Sequence, residues 1–124
     1  MVADFNGDGF PDIAVANQEA DTMTVLLGLG NGSFPIPMQA TYNTGRAPLG
    51  IAVGDFNGDG KTDLVVANIE DNSVGLFLNK ADGTGTFHPQ VTFPAGMLPL
   101  RVSVGDLNGD GIPDLVAILS LIHI

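Results

Sequence analysis

Cysteine is absent, so no disulfide framework braces the chain and its redox compartment leaves no mark on it. Basic residues are scarce: four Lys and Arg face 14 Asp and Glu, a formal net charge of −10. No basic stripe is available to neutralise phosphates, which argues against nucleic acid as a partner. No run approaches the roughly 18 apolar residues of a membrane helix, so no membrane span is expected in this stretch. Tryptophan is missing, and no segment carries the 3.6-residue apolar period of a helical solenoid. The acidity does not signal disorder, because 44% of the residues are hydrophobic. What the chain has in plenty is turn chemistry, with 17 glycines and 8 prolines among 124 residues.

The negative charge is concentrated. Nine of the 14 acidic residues fall in three windows: Asp4, Asp8, Asp12; Asp55, Asp59, Asp63; and Asp106, Asp110, Asp114. The other five nearly balance Arg46, Lys61, Lys80 and Arg101, so the acidity points to cations rather than to general solubility. The windows read DFNGDGFPD, DFNGDGKTD and DLNGDGIPD, and each begins 51 residues after the one before. The match extends outside them. Val15-Ala16-Asn17 recurs as Val66-Ala67-Asn68, Pro48 as Pro99, and Val53-Gly54-Asp55 as Val104-Gly105-Asp106. Between these anchors the spacing slips by two residues and recovers, as turns allow and strands do not.

One unit displays all its parts. Strands are expected at 50–55, 63–69, 73–78 and 86–94, the last an edge strand because it carries Pro89 and Pro94. Continuous apolar runs such as Leu64-Val65-Val66-Ala67 suit strands covered on both faces. Four short strands per repeat of about 50 residues describe a β-propeller blade, so the fold class is all-β.

The acidic loop has the donors of a hard cation. Calcium takes six to eight oxygens at about 2.3–2.6 Å. In D-x-N-x-D-G-x-x-D, positions 1, 3 and 5 turn oxygens into one concavity, and glycine at position 6 lets the backbone reverse. The carbonyl of position 7 then points inward, and the aspartate at position 9 closes the shell. The candidate ligands are Asp4, Asn6, Asp8, the backbone of Phe10, and Asp12; Asp55, Asn57, Asp59, the backbone of Lys61, and Asp63; and Asp106, Asn108, Asp110, the backbone of Ile112, and Asp114. No His or Cys stands near any loop, which disfavours zinc and softer metals, and magnesium prefers a smaller, more hydrated shell. An EF-hand would need Glu at position 12, where Val15, Val66 and Ala117 stand. Up to three Ca2+ ions are expected, the middle loop contributing most.

A loop of this form, followed by a DLVVAN-type strand and repeated at about 50 residues, resembles the FG-GAP/VCBS repeat family, which includes the propeller of integrin α subunits. The resemblance covers about residues 1–118 and implies a seven-bladed parent with calcium in the hairpin between the first two strands of a blade. Gly45-Arg46-Ala47-Pro48 only approximates Gly-Ala-Pro, and no Phe-Gly precedes the loops, which favours a bacterial branch. The expected units are a partial first blade at 1–45, a complete second blade at 46–96, and the start of a third at 97–118. Residues 119–124, LSLIHI, are the direct translation of CTGTCTCTTATACACATC, a mosaic end used in transposase-based sequencing libraries, and are read as non-native.

The catalytic inventory is thin. His88, between Phe87 and Pro89, reads as a surface residue, and the loops use the paired carboxylates for a cation. The expectation is a non-enzymatic module of an extracellular or surface protein, a scaffold that presents a protein or glycan ligand face. The alternatives are a lectin-like propeller using Tyr42, Phe34, Phe87 or Phe93, or a propeller attached to a separate catalytic domain.

Overall fold

The computed structural model describes residues 1–96, 99–111 and 113–119, with the backbone alone at 99–104 and 115–119. The backbone of Ile112 and the tail at 120–124 lie outside the described residues.

The architecture is all-β, built from propeller blades. Strands β1 (Val2–Ala3), β2 (Asp12–Asn17), β3 (Thr22–Leu26) and β4 (Gln39–Asn43) form one antiparallel sheet in chain order. Strands β5 (Pro48–Gly54), β6 (Asp63–Asn68), β7 (Ser73–Phe77) and β8 (Val91–Pro94) form a second of the same order. β9 (Pro99–Gly105) and β10 (Asp114–Leu119) pair as a two-stranded sheet.

Register follows the sequence repeat. Ala3 faces Asp12, Gly54 faces Asp63 and Gly105 faces Asp114, so each acidic loop is closed by the same pair. Ala16 pairs with Met23 as Ala67 pairs with Val74. The β9–β10 register holds to Ile118 and shifts before the Pro99–Leu119 pair, as the β5–β6 register shifts before the equivalent Pro48–Asn68 pair.

β1 is only two residues long but paired, and the Met1 ammonium donates to the Ala14 carbonyl at 3.0 Å. One expectation is revised. The fourth strand of the second sheet is divided. Residues 86–88 bond back to 78–80, Lys80 N–H to the Thr86 carbonyl and His88 N–H to the Leu78 carbonyl. The ladder to β7 begins only at Val91, beyond Pro89, which has no N–H to give. His88 itself is exposed.

The main core lies between the first two sheets. Phe5, Ala14, Met23, Val25, Leu64, Val66, Phe77 and Phe87 are buried together. The other face of the second sheet buries Ala52, Val65, Ala67 and Val74, on the side where β5 and β6 meet β9. All six residues of β6 are therefore buried, as its unbroken apolar run requires. A buried Leu, Val or Phe contributes about 1.5–3 kcal/mol, so this strand is the main hydrophobic anchor of its blade. Tyr42 joins the two sheets. Its ring meets Phe77 and Phe87 edge-on, and its hydroxyl accepts the Phe87 N–H at 3.1 Å. Burial pushes the Tyr42 phenol above its usual pKa.

Candidate metal centres in the acidic hairpins

The three acidic windows fold as the β1–β2, β5–β6 and β9–β10 connections. Their geometry is set by the first aspartate, which gathers backbone N–H groups. Asp55 Oδ1 accepts from Gly58 at 2.8 Å and Asp59 at 3.1 Å, and its Oδ2 accepts from Gly60 at 2.8 Å. Asp4 does the same with Gly7, Asp8 and Gly9, and Asp106 with Gly109, Asp110 and Gly111. These donors, the Gly111 N–H foremost, hold the Asp106 carboxyl below the usual carboxylate range. The backbone wraps so tightly only because two glycines per loop take left-handed φ: 79° and 85° at Gly7 and Gly9, 74° and 79° at Gly58 and Gly60, 76° and 81° at Gly109 and Gly111. Sequence reasoning demanded glycine at position 6 and missed position 4. The signal was there, since NGDG is common to all three windows.

Positions 3 and 5 cap the turn. Asn6, Asn57 and Asn108 accept the N–H two residues on, at 3.1, 3.3 and 3.2 Å. Asp8 and Asp59 accept the N–H groups of Phe10 and Lys61 at 2.8 and 2.9 Å.

The aspartate at position 9 is more than a lid. Asp12 and Asp63 are fully buried, and each spends both oxygens on backbone donors. Asp12 takes the N–H groups of Phe5 and Gly28, and Asp63 those of Phe56 and Asn79, all at 2.8–2.9 Å. They tie the start of the loop to the strand after next. Desolvation raises the Asp63 pKa above its ordinary value, opposed by these two hydrogen bonds and assisted by the charges of Asp59 and Asp55. Asp114 keeps the equivalent bond from Leu107 N–H at 2.9 Å and is only half-buried.

Two oxygens on one calcium ion stand at most about 5 Å apart, twice the metal–oxygen distance. Asp106, Asp110 and Asp114 each offer an oxygen within 4.8 Å of the others, the one such trio among the described residues. The carboxylates draw together in the third loop rather than in the middle one. In the first two loops the closing aspartate sits deeper, yet an ionised carboxylate has about four acceptor sites and two remain on each. The donor set is all oxygen, in keeping with a hard cation.

A second group of polar residues went unrecognised in the sequence. Asn79 is buried, donating through Nδ2 to the Phe5 and Thr62 carbonyls at 2.8 and 3.1 Å. It thus links the second blade to the first loop. At the opposite end, three successive N–H groups between the blades are held by side chains. Gly45 donates to Asn68, Arg46 to Asp71 and Ala47 to Asp21, at 3.1, 2.7 and 2.8 Å. The only hint was a polar residue inside or just beyond an apolar run, as in Gly75-Leu76-Phe77-Leu78-Asn79.

Comparison with known proteins agrees with this architecture. The model of the FG-GAP-like repeat matches twice, at residues 4–66 and 55–117. A T-cell immunomodulatory protein homolog of Plasmodium falciparum (isolate 3D7) is 31% identical over 133 aligned residues, covering 94% of this chain and 18% of its own length. The chain thus spans about a fifth of that relative. No solved structure matches. Among the described residues, no helix is long and apolar enough to cross a membrane. With two overlapping matches that together run from Asp4 to Ala117, the chain belongs to the FG-GAP-like repeat family.

Proposed function

We propose that each acidic hairpin holds one calcium ion, and that the chain is a calcium-braced part of a non-enzymatic propeller that serves as an interaction scaffold. The observation that carries this reading is the convergence of Asp106, Asp110 and Asp114 on a loop whose backbone geometry recurs in the other two. Asp, Asn and the position-7 carbonyl would supply the oxygens, and the ion would cancel the repulsion among three carboxylates. The third loop is then the most preformed site. The first two need a buried aspartate to share its oxygens between backbone and metal, so their affinity is lower. An extracellular or surface location, and a seven-bladed parent of bacterial type, complete the reading. Extracellular calcium is abundant enough for sites as weak as about 10⁻⁴–10⁻³ M.

A lectin-like role receives less support. The cleft between the sheets, about 410 Å³, is lined by Tyr42, Phe77, Lys80, Phe87 and Gln90. Its rings are engaged with one another edge-on, as packing between blades requires.

The test is titration calorimetry and thermal unfolding with calcium, magnesium or chelator, on the native chain and on Asp110→Ala. A ligand specific for the folded form adds about 2.7 kcal/mol at a hundredfold excess over its dissociation constant. Calcium should raise the midpoint more than magnesium does, and Asp110→Ala should abolish the tightest site. If chelator leaves the midpoint unchanged and calorimetry detects no uptake, the loops are turns and the proposal fails.

A further inference from the structure

The position-3 asparagine of every acidic loop is followed by glycine, and the three loops share the sequence Asn-Gly-Asp-Gly. We infer that these loops carry sites of spontaneous deamidation, and that the fold selects Asn57 and Asn108 over Asn6.

The chemistry needs only water. The backbone nitrogen of the following glycine loses its proton to solvent hydroxide and attacks the side-chain Cγ. A C–N bond forms, the Cγ–Nδ2 bond breaks, and ammonia leaves with the proton it requires. Water then opens the five-membered imide at either carbonyl, giving aspartate or isoaspartate. Nothing is oxidised or reduced. Glycine favours the step because no Cβ obstructs the approaching nitrogen.

The loops differ in restraint. Asn6 is held at both ends of its amide by one residue: Oδ1 accepts the Asp8 N–H at 3.1 Å and Nδ2 donates to Asp8 Oδ2 at 3.0 Å. It is also half-buried, its Cβ lying 3.2 Å from where a side chain on Gly85 would begin. Asn57 and Asn108 are exposed, and among the described residues their side chains are held through Oδ1 alone, at 3.3 and 3.2 Å. A side chain at Gly58 or Gly109 would meet nothing within 4 Å, so these turns have open space around them, whereas Lys61 Nζ stands 3.9 Å from that point at Gly7. The bond from the glycine N–H to the first aspartate is the same in all three loops, 2.7–2.8 Å, and does not discriminate. Asn31-Gly32 is a fourth pair of this kind, exposed and outside the acidic loops.

Conversion to aspartate places a fourth carboxylate in a loop that has three. Conversion to isoaspartate inserts a methylene into the backbone and spoils the alternation of ligands. Either product changes the cation site, a consequence that rests on the calcium reading above; the deamidation itself does not.

The full chain is aged at mildly alkaline pH in chelator, in calcium and in denaturant, then mapped by fragmentation mass spectrometry for amide-to-acid conversion. In chelator Asn57 and Asn108 convert, with Asn6 about fivefold slower, the rate factor of one more hydrogen bond of ordinary net strength. Denaturant brings the three to a common rate. Calcium slows Asn57 and Asn108 and leaves Asn31 alone. The inference is overturned if folded Asn6 converts as fast as the other two, or if folded Asn57 and Asn108 stay intact while the denatured chain converts. If the chelator result holds and calcium protects nothing, the deamidation inference stands and the calcium reading falls.

Discussion

Asp63 is the residue on which the tether and ligand roles can be separated. It is fully buried, accepts the N–H groups of Phe56 and Asn79 at 2.9 and 2.8 Å, and stands in the second acidic loop. Asp63→Asn keeps the shape and exchanges one acceptor oxygen for a donor NH2. One of the two buried N–H groups then faces a donor, and a buried unsatisfied group costs about 1–3 kcal/mol. Removing a charge that burial disfavours offsets part of this, so the expected loss is near the lower half of that range. For a chain of this size each kcal/mol moves the midpoint by roughly 3–6 °C. The assay is thermal and urea unfolding, in chelator and again in calcium. A tether loses stability in both; a residue that is only a metal ligand loses it in calcium alone. Equal stability of the native chain and Asp63→Asn in chelator would refute the argument that the carboxylate pins the hairpin to Asn79.

Protonation gives a related expectation. The Asp63 pKa is raised in the folded chain, so the protonation-linked part of its contribution to stability is fully present below the unfolded carboxylate pKa and is lost as pH rises through the folded value, leaving the tether made by the ionised group. In chelator, the stability difference between the native chain and Asp63→Asn should widen as pH falls from neutrality into the carboxylate range, as read by urea unfolding. Tyr42→Phe removes the acceptor of the Phe87 N–H and should cost about 1–2 kcal/mol in the same assay, while the native Tyr42 phenol should ionise above pH 10 in an absorbance titration. Ala81 is exposed and takes a φ of 59°, a region that costs a non-glycine residue about 1–2 kcal/mol. Ala81→Gly relieves that cost but gains freedom when unfolded, so a net stabilisation of roughly 0.5 kcal/mol is expected from denaturant midpoints.

The repeat made the fold legible because strand pairing copies itself. Once Asp4, Asp55 and Asp106 were aligned, the partners Ala3–Asp12, Gly54–Asp63 and Gly105–Asp114 could only recur. The candidate side-chain ligands were named for the same reason, Asp or Asn being common to the windows at positions 1, 3, 5 and 9, while position 7 varies and was named for its backbone alone. What stayed hidden depends on contacts that no short window contains. Asn79 reaches Phe5 across 74 positions, and Asp21 reaches Ala47 across 26. The burial of Asp63 was hidden as well, since a carboxylate enclosed by two backbone donors looks, in one dimension, like any other acid of its loop. The break at Pro89 is different in kind: the proline was visible, but it was read as marking an edge rather than as dividing the strand.

The grips between the blades run in both directions. Asn79 of the second sheet secures the first acidic loop, and Asp21 of the first sheet secures the start of the second blade. The segment that a gene would duplicate and the segment that folds cooperatively are therefore out of phase. A cut between residues 45 and 46 passes through the N–H groups that Asn68, Asp71 and Asp21 hold together. A blade excised on repeat boundaries leaves behind half of its own fastenings and half of its neighbour's. The fastenings are also not copied with the repeat: Gly28 stands in the first blade where Asn79 stands in the second, and Asn72 in the second where Asp21 stands in the first, so each junction has its own hook.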